Sequence, residues 1–415
     1  MEKIKNKKIA FITPIYLPAN LFGSGIFIKE LAEEFAKKKH NVSIITSNAL
    51  TIRFWHDPIF GKSIKQKYDV INNVKIFRLP CNQFISDICF VLTQYLGFLL
   101  PTRFKNKLKI FYSGPFLVGL KKFLQKKQFD IIHCSPFPMN INNQTLKICK
   151  NLKKKPKLII TPFCHFGVNG YKNPELKHLL ESVDRIHSIS NIEKNDICKI
   201  FHLDSKKVHT IPLFLKLTEL NEQENLIENI RVFKKKYKLN NRKIILFAGN
   251  KGKMKGTIDV LHTVHQLYQK DPSYILITIG NTNPEWERQK KYIDNNCLID
   301  FDYISCPEKE IIFGACDLFC MPSISESFGL VYLEAWHKKK PVIGADIPPV
   351  KELIGNANGG LLVKFGDINQ LQQTIEKLIQ DKNLSEELGK NGYKALISRY
   401  NLDANLNKYF DLFFS

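Results

Sequence analysis

The stretch LFCMPSISESFGLVYLEAWHKKKPVIGA, residues 318–345, opens and closes on short apolar runs, LFCMPS (318–323) and PVIGA (341–345), that read as strands with a helix between them. A strand, a helix and a second apolar strand make up the repeating unit of a parallel, doubly wound α/β sheet. Phe328, Leu330, Val331, Leu333, Ala335 and Trp336 leave this helix no wide polar stripe, so burial on nearly every side is expected. His337 to Lys340 complement the dipole at its C-terminus, and Pro341 stops it. Glu326 precedes the helix and Glu334 lies inside it. A carboxylate in such surroundings needs a specific partner, because an unpaired buried charge neutralises or destabilises the fold. Two readings stand side by side. In one, Glu326 caps the helix and Glu334 makes a core ion pair. In the other, Glu326 lies at the carboxyl end of a strand, where open α/β sheets bind ligands, and the backbone N–H groups of Ser327, Phe328, Gly329 and Leu330 form an anion site.

Outward from this block the same grammar recurs. KKIAFITPIYLPANLFGSGIFIKELAEEFAKKKHNVSIITS (7–47) and RKIILFAGNKGKMKGTIDVLHTVHQLYQKDPSYILITIGN (242–281) each run strand, glycine-containing loop, amphipathic helix, strand. In the first helix Phe27, Leu31 and Phe35, with the Ile28/Ala32 pair, keep helical spacing. Further strands are expected at 75–80, 129–135, 157–165, 185–190 and 208–212 in the first half, and at FDYIS (301–305) in the second. At 415 residues the chain is too long for one hydrophobic core. The division expected is a Rossmann-like domain over 1–215, a polar connection over 216–241, a second Rossmann-like domain over 242–395 and a terminal helix over 396–415. Tandem domains of this kind imply a ligand cleft between them.

Composition narrows the partners. With 44% hydrophobic and 24% charged residues the chain is of ordinary globular composition, and a formal net charge of +23 points to anionic partners. Nucleotide sugars, phospholipid head groups and nucleic acid all qualify, but no zinc-finger, basic-zipper or RNA-binding aromatic signature supports nucleic acid. The lysine runs at 37–39, 153–155 and 234–236 read as solvated helix ends or loops. Ten cysteines without a C-x-x-C pair indicate neither a zinc site nor a disulfide framework, so a reducing, cytoplasmic setting is expected. The start of the chain imitates a signal peptide, but Pro14 and Pro18 break its apolar run, which reads as a first strand and loop. Segment 84–111 departs from the pattern. ICFVLTQYLGFLLPT (88–102) is uncharged yet too short to span a bilayer, and RFKNKLKIF follows it. It reads either as a peripheral contact with an anionic membrane face through 88–111 or as an internal helix pair.

The loop GNKGKMKG (249–256) places three lysines and three glycines after a strand and before a helix, where ammonium groups and amides can meet a diphosphate. Lys255 is the leading phosphate contact. Glu334 points to the same rim and suits a ribose diol. His165 ends a strand of the first half, where a lone histidine reads either as structural or as facing the cleft.

PSISESFGLVYLEAWHKKKPVIGADIPPVKELI (322–354) resembles the signature of the retaining glycosyltransferases of family 4, the glycogen-synthase-like group 1 enzymes, with Glu326 and Glu334 as its Glu-x7-Glu pair. The likeness extends to ELAEEFAKKKHNVSIIT, FDIIHCS, IITPFCH, ILFAGNKGKMKG and the closing SRYNLDANLNKYFDLFF. It implies the GT-B fold, two Rossmann-like α/β domains facing each other across a cleft. It also implies metal-independent transfer of a sugar, with retention, from a nucleotide diphosphate donor, a UDP-sugar being expected, to a glycan or lipid-linked acceptor in polysaccharide or glycolipid synthesis. No cofactor beyond that co-substrate is implied. By position Glu334 would hold the ribose, Lys255 and the amides of Ser327, Phe328, Gly329 and Leu330 the diphosphate, and Glu326 the donor sugar, with His165 beside it. Two departures stand out. Asn250 occupies the place of a common arginine, with Lys251 or Lys253 as replacement cation, and Phe22-Gly23 replaces adjacent glycines, with Gly23 at the second position. Asn250 favours a non-catalytic sugar-nucleotide-binding subunit as the alternative; another GT-B enzyme, such as a sugar-nucleotide epimerase, is the second.

Overall fold

In this computed structural model the described residues are 6–19, 21, 23–55, 61–165, 169–217 and 223–415. They fall into two compact units, Met1–Ile211 with Asn407–Ser415, and Pro212–Leu406. Phe22 lies outside the described residues.

The first unit runs β1 (Lys8–Ile12), α1 (Gly23–Lys37), β2 (Asn41–Ser47), β3 (Tyr68–Ile71), β4 (Val74–Leu79), α2 (Gln83–Tyr95), α3 (Thr102–Tyr112), α4 (Leu120–Lys127), β5 (Ile131–Cys134), α5 (Asn140–Cys149), β6 (Lys157–Ile160), α6 (Lys177–Glu181), β7 (Arg185–Ser188), α7 (Asn191–Phe201) and β8 (Val208–Thr210). Its sheet has the order β3-β4-β2-β1-β5-β6-β7-β8, and only edge strand β3 is antiparallel. The register sets Phe11 between Ile44 and His133. Helix α1 buries Phe27, Ile28, Leu31, Ala32 and Phe35, the face its spacing predicts. A fully buried side chain of this size contributes roughly 1.5–3 kcal/mol.

A polar chain crosses the interior of this sheet. His187 Nε2 donates to the Ile211 carbonyl at 2.7 Å. Its Nδ1 therefore accepts from the Thr161 hydroxyl at 2.9 Å, and Thr161 in turn accepts from His133 Nε2 at 2.7 Å. His133 Nδ1 is left as a buried lone pair without a partner. Burial holds both imidazoles well below their ordinary range, His133 at about 3 and His187 at about 4.

The second unit runs α8 (Gln223–Lys236), β9 (Lys243–Ala248), α9 (Thr257–Lys270), β10 (Tyr274–Ile279), α10 (Pro284–Gln289), β11 (Leu298–Phe301), α11 (Cys306–Ala315), β12 (Leu318–Met321), α12 (Leu330–His337), β13 (Val342–Ala345), α13 (Pro348–Ala357), β14 (Gly360–Val363), α14 (Ile368–Gln380) and α15 (Lys382–Ala395). A π-helical turn at Leu396–Tyr400 leads into α16 (Leu402–Phe414). The end of α16 belongs to the first unit, where Tyr409 meets Phe27 and Phe413 meets Phe11. The sheet is wholly parallel in the order β11-β10-β9-β12-β13-β14. Counted from its own first strand this is 3-2-1-4-5-6, the doubly wound order in which ligands bind where the winding reverses, between β9 and β12.

Two expected boundaries change. Most of the polar connection expected over 216–241 is helix α8, because Leu226, Ile230, Phe233 and Tyr237 keep helical spacing beneath its many charges and are half-buried. Ile230 closes against Gly314 of α11, where an added Cβ would lie 2.5 Å from its Cδ1. The strand expected at 301–305 instead occupies Leu298–Phe301. Asp300, of a residue type depleted in strands, sits within it. Its carboxylate is fully satisfied by Thr278, Trp286, Lys290 and Lys251.

Candidate functional site

The loop after β9 and the loop after β12 are fastened together. Ile324 N donates to the Met254 carbonyl at 3.1 Å, and the Ser323 hydroxyl reaches the same oxygen at 3.2 Å. Gly256 caps α9 at φ +71°, where a Cβ would stand 2.4 Å from the Pro322 carbonyl oxygen. Only glycine satisfies both that conformation and that approach. The 3-10 turn Lys253–Lys255 then carries Lys255 toward the second loop. Its ammonium donates to the Ser325 carbonyl at 3.1 Å and forms a short ion pair with Glu326. An ammonium has three donors, so one remains for a ligand.

Beyond Glu326 the chain turns through Gly329 at φ +94°, where a Cβ would meet the Tyr332 ring at 2.5 Å. That ring is buried and its hydroxyl donates to the Met321 carbonyl at 2.7 Å, tying α12 back to the end of β12. Helix α12 therefore starts at Leu330, with Phe328 buried beneath the turn and Ser327 half-buried. Tyr332, Leu333, Ala335 and Trp336 are its buried side chains, whereas Glu334 is partly exposed. Both Glu334 oxygens lie 2.6 Å from Lys309 Nζ of α11. This is the ion pair that the sequence left open, but it does not exhaust the carboxylate. An ionised carboxylate has roughly four lone-pair positions; the Lys309 ammonium donates to Oε1, and Oε2 is buried without a hydrogen-bond partner.

Lys251 departs from its expected role. Its side chain is fully buried, pointing away from the loop rim to meet Asp300 at 2.5 Å and the Phe301 carbonyl at 2.7 Å. Its cation is committed to the edge of the sheet and does not stand in for a rim arginine. Burial alone would raise the Asp300 carboxyl, but hydrogen bonds from Lys251, Lys290, Thr278 and Trp286 hold it down at about 2. Asn250 is exposed, its Oδ1 3.5 Å from Asn281 Nδ2, and Lys253 is exposed as well.

In the first unit Gly23 is the opening residue of α1, after the carboxyl end of β1, and His165 follows the carboxyl end of β6. The His165 ring lies 5.8 Å from that of Tyr171. Phe163, two residues earlier, is a non-glycine at φ +56°, a conformation that has to be held by its surroundings. Glu193 holds it. Its carboxylate accepts from Cys164 N at 2.6 Å and from Ile189 N at 2.7 Å. Burial pushes the Glu193 carboxyl up to about 7 against the pull of those two amides. This residue escaped sequence reasoning, although Ser190-x-x-Glu193 has capping-box spacing, a signal of a helix start. Among the described residues no group of three His, Cys, Asp or Glu side chains stands where it could hold a metal ion.

Two doubly wound α/β units, the second with its polar loops joined at the reversal of its sheet, define a GT-B protein. The family model described as Glycosyl transferases group 1 matches residues 228–395, and that described as Glycosyltransferase Family 4 matches 93–219. The chain belongs to this family of glycosyltransferases. It is 21% identical over 409 residues to the uncharacterized glycosyltransferase MJ1607 of Methanocaldococcus jannaschii, covering 95% of each chain. Sucrose-phosphate synthase from Thermosynechococcus elongatus superposes with a TM-score of 0.74 at 18% identity, covering 98% of each chain. Anabaena HepE, solved in complex with UDP and glucose, gives a TM-score of 0.71 at 14% identity, covering 98% of this chain and 99% of that one. At these identities the two solved structures speak for the fold alone.

Proposed function

We propose that the protein transfers a sugar, with retention of anomeric configuration and without a metal ion, from a nucleotide diphosphate donor to a glycan or lipid-linked acceptor in polysaccharide or glycolipid synthesis. The observation that carries the reading is the Lys255–Glu326 pair at the reversal point of the second sheet, with Glu326 leading directly into the Gly329 turn that opens α12. Lys255 and the amides of Ser327, Phe328, Gly329 and Leu330 hold the diphosphate, and Glu326 meets the donor sugar. Glu334 takes the ribose diol on the lone pairs Lys309 leaves open. His165, held in place through Cys164 and Glu193, stands beside the transferred sugar. A UDP-sugar is the expected donor, consistent with UDP in the HepE complex.

Catalysis on this reading is electrostatic. Donors fixed before the reaction stabilise the negative charge that grows on the departing diphosphate, and its phosphate oxygen helps deprotonate the acceptor hydroxyl. No protein nucleophile is required. Asn250, in place of an arginine, favours the second reading, a subunit that binds sugar nucleotides without turning them over.

Calorimetric titration with UDP, GDP and ADP, repeated on Glu334→Gln, tests the proposal. Saturable binding of one nucleotide that the variant loses, at little change in melting temperature, is the expected result. Equal losses in binding and stability would reduce Glu334 to the Lys309 ion pair, and binding without transfer would favour the non-catalytic subunit.

A further inference from the structure

Helices α2 and α3 turn outward the side chains that a protein in water ordinarily hides. Phe84, Ile88, Val91 and Tyr95 are all exposed and succeed one another at steps of four, three and four, forming one stripe along α2. Among the described side chains of α2, the smaller Cys89 and Thr93 are the buried ones. The ridge continues through Leu96, Phe98 and Leu99 in the turn and Phe104 on α3, with Phe98 80% exposed and Phe84 72% exposed. The two helices pack on each other, Phe90 of α2 meeting Tyr112 of α3 edge-to-face at 5.6 Å between ring centroids, while the stripe from Phe84 to Tyr95 stays exposed.

The surrounding charge is one-sided. From α2 to the end of α3, residues 83–112, four basic side chains, Arg103, Lys105, Lys107 and Lys109, stand against one acidic, Asp87, a net of +3. Arg103 and Lys107 of α3, with Lys147 and Lys150 of α5, line a cavity of about 280 Å³ in which Glu175 is the one carboxylate. An apolar ridge beside a cationic belt matches the interface of an anionic bilayer, with hydrocarbon below and phosphate alongside. A second copy fits less well, since pairing the ridges would set two such positive belts against each other. Among the described residues no helix is long and apolar enough to cross a membrane, so the contact lies in the interface and not through it.

We propose that α2 and α3 form a monotopic anchor: the ridge from Phe84 to Phe104 enters the interface of an anionic bilayer, and the cations beside it engage lipid phosphates. The inference goes beyond sugar transfer and is independent of it, since it is read without nucleotide or acceptor. The test is sedimentation of the full chain with vesicles of phosphatidylcholine alone or mixed with phosphatidylglycerol, at low and high salt. Expected are binding to the anionic vesicles, at least about tenfold weaker binding to the neutral ones, and release as salt screens the lysines. Phe98→Ser combined with Leu99→Ser is expected to weaken vesicle binding at least about tenfold at an unchanged melting temperature, because both side chains are exposed. Failure to bind anionic vesicles at low salt, equal binding to neutral vesicles, or unimpaired binding by the double variant would each overturn the proposal. So would a dimer in light scattering that the double variant dissolves, which would assign the ridge to a second copy.

Discussion

Replacing Lys255 by methionine keeps the apolar stem and removes the ammonium. In the structure that ammonium latches the second loop through Ser325 and Glu326, and on the proposed reading its remaining donor meets the diphosphate. The two roles have different magnitudes. Lys255 and Glu326 retain 26% and 10% of their side-chain exposure, so the latch is only partly screened by water and its loss costs about 1 kcal/mol of stability. A charge-assisted hydrogen bond to a diphosphate is worth roughly 1.5–3 kcal/mol, which is about 10- to 150-fold in affinity. The variant also leaves Glu326 unneutralised next to that diphosphate, so the upper part of the range is expected. Calorimetric titration with UDP, alongside a thermal melt in the absence of ligand, separates the two roles. Weakened UDP binding with a small melting shift is the expected outcome. An unchanged dissociation constant with a lowered melting temperature would show that Lys255 serves only as a latch, and would refute the placement of the diphosphate.

Gly329→Ala forces a side chain into φ +94° and against the Tyr332 ring, so a loss of about 1–3 kcal/mol is expected, together with weaker nucleotide binding as the Leu330 amide moves; denaturant titration and calorimetry check the pair of effects, and a stable variant with full affinity would contradict them. Asp300→Asn leaves the buried Lys251 ammonium with only the exposed Asp302 carboxylate, 4.0 Å away, as counter-charge and is expected to cost about 3 kcal/mol, largely recovered by adding Lys251→Met; a cost near zero in a urea melt would mean that Lys251 reaches water. The two buried imidazoles make the first unit sensitive to mild acid. Their folded-state values, about 3 and about 4, lie below the ordinary 6.5. Protons therefore bind the unfolded chain first, and stability present at neutral pH is lost as pH falls from about 6.5 toward 4. Melting temperatures recorded across that window are expected to fall, less steeply in His133→Asn, and a flat profile would contradict neutral burial.

Much of this architecture is legible in local signals. The strands flanking α12, the buried face of α1 and the positions of Glu326 and Lys255 at strand ends all follow from periodicity within short windows. What the sequence hides is partnership over distance. Lys251 sits among three lysines in a loop, where solvation is the ordinary expectation, and its burial depends on Asp300, 49 positions later. Asp300 in turn makes a strand residue look like a turn. Glu334 shows the converse case. Its neighbours suggested full burial, but Lys309 comes from a different helix and leaves the carboxylate half open. Helix α8 was obscured because its apolar positions are diluted by glutamate, asparagine and lysine.

The bonds between the two loops of the second unit also bear on how this site can change by mutation. Gly256, Pro322, Ser323 and Met254 share one small volume, so a substitution in either loop is felt by the other. A side chain at 256 displaces the peptide after β12, and with it the backbone that carries Glu326. Adjustments in the two loops, which on the proposed reading meet the phosphates and the sugar, are therefore not independent trials. Variants of donor preference in this scaffold should arise as paired substitutions across the two loops, each of which is damaging when it appears alone.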